Sequence, residues 1–254
     1  MGEVFYYHEL DSTNDEAKRL LRAERSEDGS FCVPSRLYGT VVTARRQTAG
    51  HGRLGRSFAS PGGDSIYASF ILKPPVRPAE QRITAFAAVA VCMAIEKTTF
   101  YKPGIKWVND ILLDGKKVCG ILAEADARAV ILGIGININI NEDSLPAGLS
   151  EIAGSLSMDK ETRSQFFDIL TKEVFRCTAV SEATGSKETA EAAALMNEYR
   201  ARSVLLGMPV VLLRGDEKRN AFCEGIADDG ALVVKYDDGS VDELRSSEIS
   251  VRPV

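Results

Sequence analysis

The chain has 254 residues, 44% hydrophobic and 26% charged, with a formal net charge of −5. That is enough for one large domain, or a large domain with a small appendage, and it leaves no basic excess to drive sequence-independent binding to DNA. The longest apolar run, Ala85 to Ile95, is too short to cross a bilayer, and the N-terminus lacks the basic-then-apolar pattern of a signal peptide.

In chain order, residues 3–10 alternate aromatic and polar groups and predict a strand. A helix follows, with Thr13 and Glu16 in capping-box spacing. Gly39 to Arg45 is β-rich and leads into the glycine-rich stretch QTAGHGRLGRSFASPGGDS, after which IYASFILK predicts another strand. A helix over Ala79 to Lys97 carries Ile83, Phe86, Ala90 and Ala94 at helical spacing. Next comes a hairpin, GIKWVNDILL and KKVCGILAEA, joined by an Asp-Gly turn, then the strand VILGIGININI. Residues 161–179 and 187–202 are amphipathic helices separated by SEATGS. From about Ser203 short strands and Asp-Gly or Gly-Ser turns predict a small β-barrel, too short to carry a large core and so expected to dock on the rest. The five cysteines, Cys32, Cys92, Cys119, Cys177 and Cys223, are scattered, odd in number and never in CxxC spacing. They read as small buried thiols in a reducing compartment, and a cytoplasmic location is expected.

Three segments carry chemistry. Gly50-His51-Gly52-Arg53-Leu54-Gly55 contains G-x-G-x-x-G, but a dinucleotide loop needs a helix immediately after it, and here the chain runs on through Ser60-Pro61-Gly62-Gly63 into a strand. The same glycines can form a backbone nest for an anion, with Arg53 and Arg56 adding forked donors. A solvated surface loop accounts for the composition equally well. In the hairpin, the Asp-Gly turn sets Leu113 opposite Lys116, Leu112 opposite Lys117 and Asp110 opposite Cys119, which leaves Asp110 and Lys117 on one face. Lys117 could hold a carboxylate and a phosphate there; an ordinary surface ion pair is the plainer reading. In Gly133-Ile134-Gly135-Ile136-Asn137 the isoleucines point one way and the glycines and Asn137 the other, as a close-lying ligand or a packed neighbour would require.

The order DSTN, QTAGHGRLGR followed by SP, KWVNDILLDGKKVCGIL and GIGINI resembles the biotin protein ligase family. The resemblance covers residues 3 to about 140 by motif. It implies an α+β fold: a mixed β-sheet catalytic domain with packed helices, akin to class II aminoacyl-tRNA synthetases and lipoate ligases, over 1–203, and a C-terminal SH3-like β-barrel over 204–254. The implied activity is ATP-dependent formation of biotinyl-5′-AMP, with Mg²⁺, followed by transfer of biotin to a lysine of a biotin carboxyl carrier protein domain. Several members of the family also carry an N-terminal DNA-binding segment. This chain starts at the catalytic strand and so resembles the ligase-only group, for which no DNA, no membrane and a homodimer are expected.

By matching motif, Ser12, Thr13, Asn14, Gln47, Gly50, His51, Arg53, Lys117, Gly120 and Gly133 correspond to biotin contacts. Arg53, Arg56, Phe58, Asn109 and Asn137 correspond to ATP or adenylate contacts, Asn109 and Asp110 to the metal position, and Arg53 and Lys117 to the catalytic pair. Two positions depart from the family pattern: His51 stands where arginine is usual, and Val108 where proline is usual. Histidine can still donate to a carboxylate, without arginine's permanent charge. A lipoate or octanoate ligase shares the acyl-adenylate logic but has a different arginine–glycine motif. A non-catalytic binding module is opposed by the net charge and by the lack of aromatic–basic clusters in 203–254.

Overall fold

The computed structural model describes residues 2–23, 35–55, 58, 64–74, 80–126, 129–141, 145, 148–149, 151–182, 186–215, 217–245 and 250–253. Seven strands form one mixed sheet: β1 (Val4–Leu10), β2 (Val41–Gln47), β3 (Ile66–Leu72), β4 (Gly104–Lys106), β5 (Asp110–Leu113), β6 (Lys116–Asp126) and β7 (Ala129–Ile136), in the order β1-β2-β3-β7-β6-β5-β4. Among the described strands only the β1–β2 pair is parallel, and its crossover contains helix α1 (Thr13–Ala23), since parallel neighbours need a long connection. The alternation predicted for the strands sorts the two faces. Leu132, Ile134 and Ile136 join the main core, whereas Ile131 packs with Ala17 and Leu21 of α1.

Helix α2 (Glu80–Thr98) packs under the main-core face against α3 (Lys160–Thr178) and α4 (Ser186–Arg202). The predicted stripe of Ile83, Phe86, Ala90 and Ala94 is fully buried, and with neighbours on several sides so are most of the residues between. Asp159 caps α3, its carboxylate accepting from the Thr162 N–H at 2.7 Å.

The remaining strands, β8 (Pro209–Arg214), β9 (Glu217–Ile226), β10 (Leu232–Lys235), β11 (Val241–Leu244) and β12 (Ser250–Pro253), form an antiparallel sheet ordered β11-β10-β9-β8-β12. It docks as expected. Its Val210, Cys223, Leu232 and Val234 belong to the same buried cluster as α2, and Trp107 Nε1 donates to the Gly230 carbonyl at 2.9 Å. Cys92, Cys119, Cys177 and Cys223 are free and buried, and burial pushes the Cys92 thiol up to about 12; Cys32 lies outside the described residues.

Three local expectations change. The predicted first hairpin arm is two strands, β4 and β5, pairing with each other so that Gly104 faces Leu112 and Lys106 faces Asp110. The turn between them buries Trp107 and Val108, and the buried Tyr199 hydroxyl donates to the Val108 carbonyl at 3.1 Å. Beyond the Asp-Gly turn, where Asp114 (φ 51°) and Gly115 (φ 80°) take the left-handed conformation it demands, Lys116 and Lys117 pair as predicted; Asp110, however, faces Gly120, not Cys119. A bulge at Val118 causes the shift, and it lets consecutive Val118 and Cys119 both enter the core, which a regular two-residue alternation forbids. At the start of α1 the capping hydroxyl belongs to Ser12, which accepts from the Asp15 N–H at 3.4 Å, while Thr13 and Glu16 bond elsewhere.

Candidate active site

The α1-facing side of the sheet carries a cleft, floored by β3, β6 and β7 and walled by α1 and by Gln47, His51, Gly52, Arg53 and Phe58. Its floor is smooth because three strand positions lack side chains. A Cβ on Gly135 would lie 2.6 Å from the Phe58 ring, one on Gly120 would lie 2.9 Å from it, and one on Gly133 would strike the Asn14 amide. Phe58 therefore rests its ring against the floor, in a T-shaped arrangement with Tyr67 at a centroid distance of 6.3 Å.

The end beside α1 is polar and densely hydrogen-bonded. Gln47 Oε1 accepts from the Thr13 N–H at 2.8 Å and lies 3.0 Å from the Thr13 hydroxyl, which turns the Gln47 Nε2 toward Gly50 and Phe58. The buried Ser69 hydroxyl lies 2.8 Å from Thr13 Oγ1 and 2.5 Å from Asn14 Oδ1. Asn14 Nδ2 donates to Glu124 Oε2 at 2.6 Å. Thr13, Asn14 and Ser69 are nearly inaccessible, so these bonds settle the direction in which each group can meet a ligand.

The other end is cationic. Lys117 Nζ sits 2.6 Å from Asp110 Oδ1 and 5.9 Å from the centre of the Phe58 ring. Its backbone is clamped by the 152–154 segment, the N–H donating to the Ile152 carbonyl at 2.7 Å and the carbonyl accepting from the Gly154 N–H at 2.8 Å. Arg53, on a short helical turn of the loop, donates to Asn109 Oδ1 at 3.1 Å, and Asn109 Nδ2 donates to the Ile121 carbonyl at 2.8 Å. The loop is tied to α1 by His51 Nε2, 2.6 Å from Asp15 Oδ2. Burial pushes Asp15 up, but His51 and Lys18 beside it outweigh this and hold its carboxyl below the usual range.

Most of the residues singled out by motif border this cleft, Arg53 and Lys117 among them. Gly50 does not, but its carbonyl accepts the Phe58 N–H at 2.8 Å and it has room for no side chain between Gln47 and Phe58. Asn137 also stands off the cleft: its amide donates to the Gly154 carbonyl at 3.0 Å, behind Lys117. Asp110 reaches the cleft only through Lys117, and Arg56 lies outside the described residues. Sequence reasoning missed Tyr67, Ser69 and Glu124. Each sits on the cleft-facing parity of its strand, a signal available once the glycine positions had marked that face. Two fixed cations at one end and a paired, directional amide–hydroxyl network at the other suit a ligand with an anionic tail and a compact polar head.

Residues 25–141 match the Biotin/lipoate A/B protein ligase family, and residues 205–252 the Biotin protein ligase C terminal domain. The bifunctional ligase/repressor BirA of Bacillus subtilis (strain 168) is 39% identical over 165 residues, 62% of this chain and 47% of that protein; the chain thus spans about half the length of the first such relatives. The biotin--[acetyl-CoA-carboxylase] ligase of Paracoccus denitrificans is 30% identical over 240 residues, 89% of this chain and 91% of that protein. The solved structure of biotin protein ligase from Aquifex aeolicus in complex with biotin and ATP superposes with a TM-score of 0.78 at 26% identity, covering 100% of both chains.

Proposed function

The chain belongs to the biotin protein ligase family, and on that premise we propose that it joins biotin to ATP and passes the biotinyl group to a lysine of a biotin carboxyl carrier protein domain. The observation that carries the reading is that Arg53 and Lys117, from a loop and a hairpin far apart in sequence, border the same cleft as the amide–hydroxyl network of Thr13, Asn14 and Gln47.

In the first step a biotin carboxylate oxygen attacks the α-phosphorus of ATP, the bond to the β-phosphate breaks, and pyrophosphate leaves. In the second the carrier amine attacks the carbonyl of the mixed anhydride, AMP departs, and the amine gives up a proton. No side chain is acylated. The protein brings two anions together and neutralises charge at phosphorus, which is work for fixed cations rather than for a nucleophile. Lys117 exchanges its contact with Asp110 for the biotin carboxylate and the α-phosphate, while Arg53 holds the phosphate and covers the intermediate. Phe58, resting on the glycine floor, gives way to the ligand and packs on the adenine.

Asn109 and Asp110 supply one amide oxygen and one carboxylate. That set would suit Mg²⁺ delivered with the nucleotide better than a dedicated protein cage would. When bound, the ion neutralises phosphate charge.

The same reading assigns 1–203 to catalysis and 204–254 to an SH3-like domain assisting the nucleotide and transfer steps, in a cytoplasmic homodimer. No helix among the described residues is long and apolar enough to cross a membrane. The test is mass spectrometry of a purified carrier domain after incubation with the chain, ATP, Mg²⁺ and biotin. One biotinylated lysine is expected, and none when lipoate replaces biotin. An unmodified carrier, or one that takes lipoate, refutes the assignment.

A further inference from the structure

We infer that Glu124, a residue the motifs do not mark, is a positioning residue that fixes which way round the Asn14 amide faces the ligand. This rests on the biotin ligase reading above.

An amide presents a donor on one side and an acceptor on the other, and rotation by half a turn exchanges them at almost no steric cost. Asn14 is 4% exposed and Gly133 leaves it room to lie flat against β7, so packing alone does not choose between the two orientations. The surrounding partners choose. Glu124 Oε2 is 2.6 Å from Asn14 Nδ2, and an ionised carboxylate only accepts, so the nitrogen must face it. Asn14 Oδ1 is thereby turned to Ser69, whose hydroxyl can donate to it at 2.5 Å. Ser69 alone does not fix the direction, because a hydroxyl donates or accepts as its neighbour demands. Of the two groups bonded to the Asn14 amide, Glu124 is therefore the one-way partner.

With those bonds made, Asn14 retains one N–H and one oxygen lone pair for the cleft it borders. A cyclic urea carries a carbonyl acceptor and two N–H donors, so an amide turned the wrong way would set donor against donor. Glu124 also holds Lys18 Nζ at 2.9 Å through its other oxygen. A purely structural role, pinning α1 to β6, would act through that ion pair.

The two roles separate by titrating biotin into the full chain and by steady-state kinetics. Glu124→Leu is expected to weaken biotin binding about tenfold, equivalent to about 1.4 kcal/mol, with KM for ATP and kcat at saturating biotin within about twofold of the unaltered chain. Glu124→Gln, which keeps an acceptor for Asn14, should recover affinity to within about threefold. Lys18→Met, which breaks only the ion pair, should leave biotin affinity within about twofold. Unchanged binding in Glu124→Leu, or an equal loss in Lys18→Met, overturns the inference. A second arm does not depend on the leucine variant folding. Asn14→Asp sets two carboxylates against each other, and adding Glu124→Gln restores a donor–acceptor pair of reversed polarity. The double variant should bind biotin about fivefold better than Asn14→Asp alone, and no gain sinks the idea. Failure of the unaltered chain to bind biotin would instead sink the biotin ligase reading itself.

Discussion

Lys117 is held at three points: by Asp110 at its ammonium group and by Ile152 and Gly154 at its backbone. Its side chain is 36% exposed, toward the cleft, so its charge is placed for an incoming anion at little cost of ordering. Removing that charge should harm the chemical step far more than the fold. Lys117→Ala is expected to lower biotin-dependent pyrophosphate release by about 10²–10³-fold, the range for deleting one preorganised stabiliser of developing charge. Its circular dichroism spectrum and melting temperature should stay close to those of the unaltered chain. Near-normal pyrophosphate release would remove Lys117 from the mechanism. Arg53 differs because it arrives on a loop and donates there to the neutral Asn109 amide. Arg53→Gly should therefore still make adenylate but retain it poorly, and bystander proteins in the reaction should acquire biotin on exposed lysines. Labelling confined to the carrier would show that Arg53 does not cover the intermediate.

Within the elements, the contacts that organise the core are local enough to test one at a time. Glu173 on α3 ties down the end of α2, accepting from Lys97 at 2.5 Å and from Arg176 Nε at 2.8 Å. Burial pushes Glu173 up, but these two cations outweigh it and hold the carboxyl below the usual range. A carboxyl depressed in the folded state adds stability that is fully present above its unfolded value, about 4.3, and lost as the pH falls through the folded one. Glu173→Gln should thus cost roughly 1 kcal/mol at pH 7, the modest figure reflecting two half-exposed cations. The gap should close below about pH 4; a gap constant from pH 7 to pH 3 in urea melts would rule out the ionic origin. Elements of this kind were legible in the sequence: α2, α3 and α4 fall within a residue or so of their predicted limits, because a 3.6-residue stripe declares itself without knowledge of neighbours. Features set by neighbours were not. The Val118 bulge follows from the need to bury two consecutive residues, and the break between β4 and β5 from the burial of Trp107 and Val108, neither of which shows in a local pattern. Likewise Arg53 and Lys117 could be named from their motifs. Ser69 and Glu124 could not, since their importance arises only where β3 and β6 are brought alongside α1.

Across the whole molecule, the question is whether the C-terminal sheet is a separable unit or part of one cooperative structure. Its buried residues run without interruption into the core beneath the large sheet, and Arg200 of α4 donates to the Ile226 carbonyl at 2.7 Å across the junction. A five-stranded sheet with five short strands exposes much of its surface when alone, so most of its stability should come from this docking. Trp107 offers a direct readout, as it is the only tryptophan in the chain, is 5% exposed, and bonds to Gly230 in the turn between β9 and β10. Undocking would expose its indole to water and shift its emission to the red, whereas the helices α2, α3 and α4, which dominate the far-ultraviolet dichroism, would persist. A single structure predicts that both signals change in one transition with the same midpoint in urea. A red shift completed before the helical signal falls would mean that the two sheets part first, and the C-terminal sheet would then be a mobile appendage rather than a wall on which the Lys106–Asp110 turn, and through it Asn109 and Arg53, is braced.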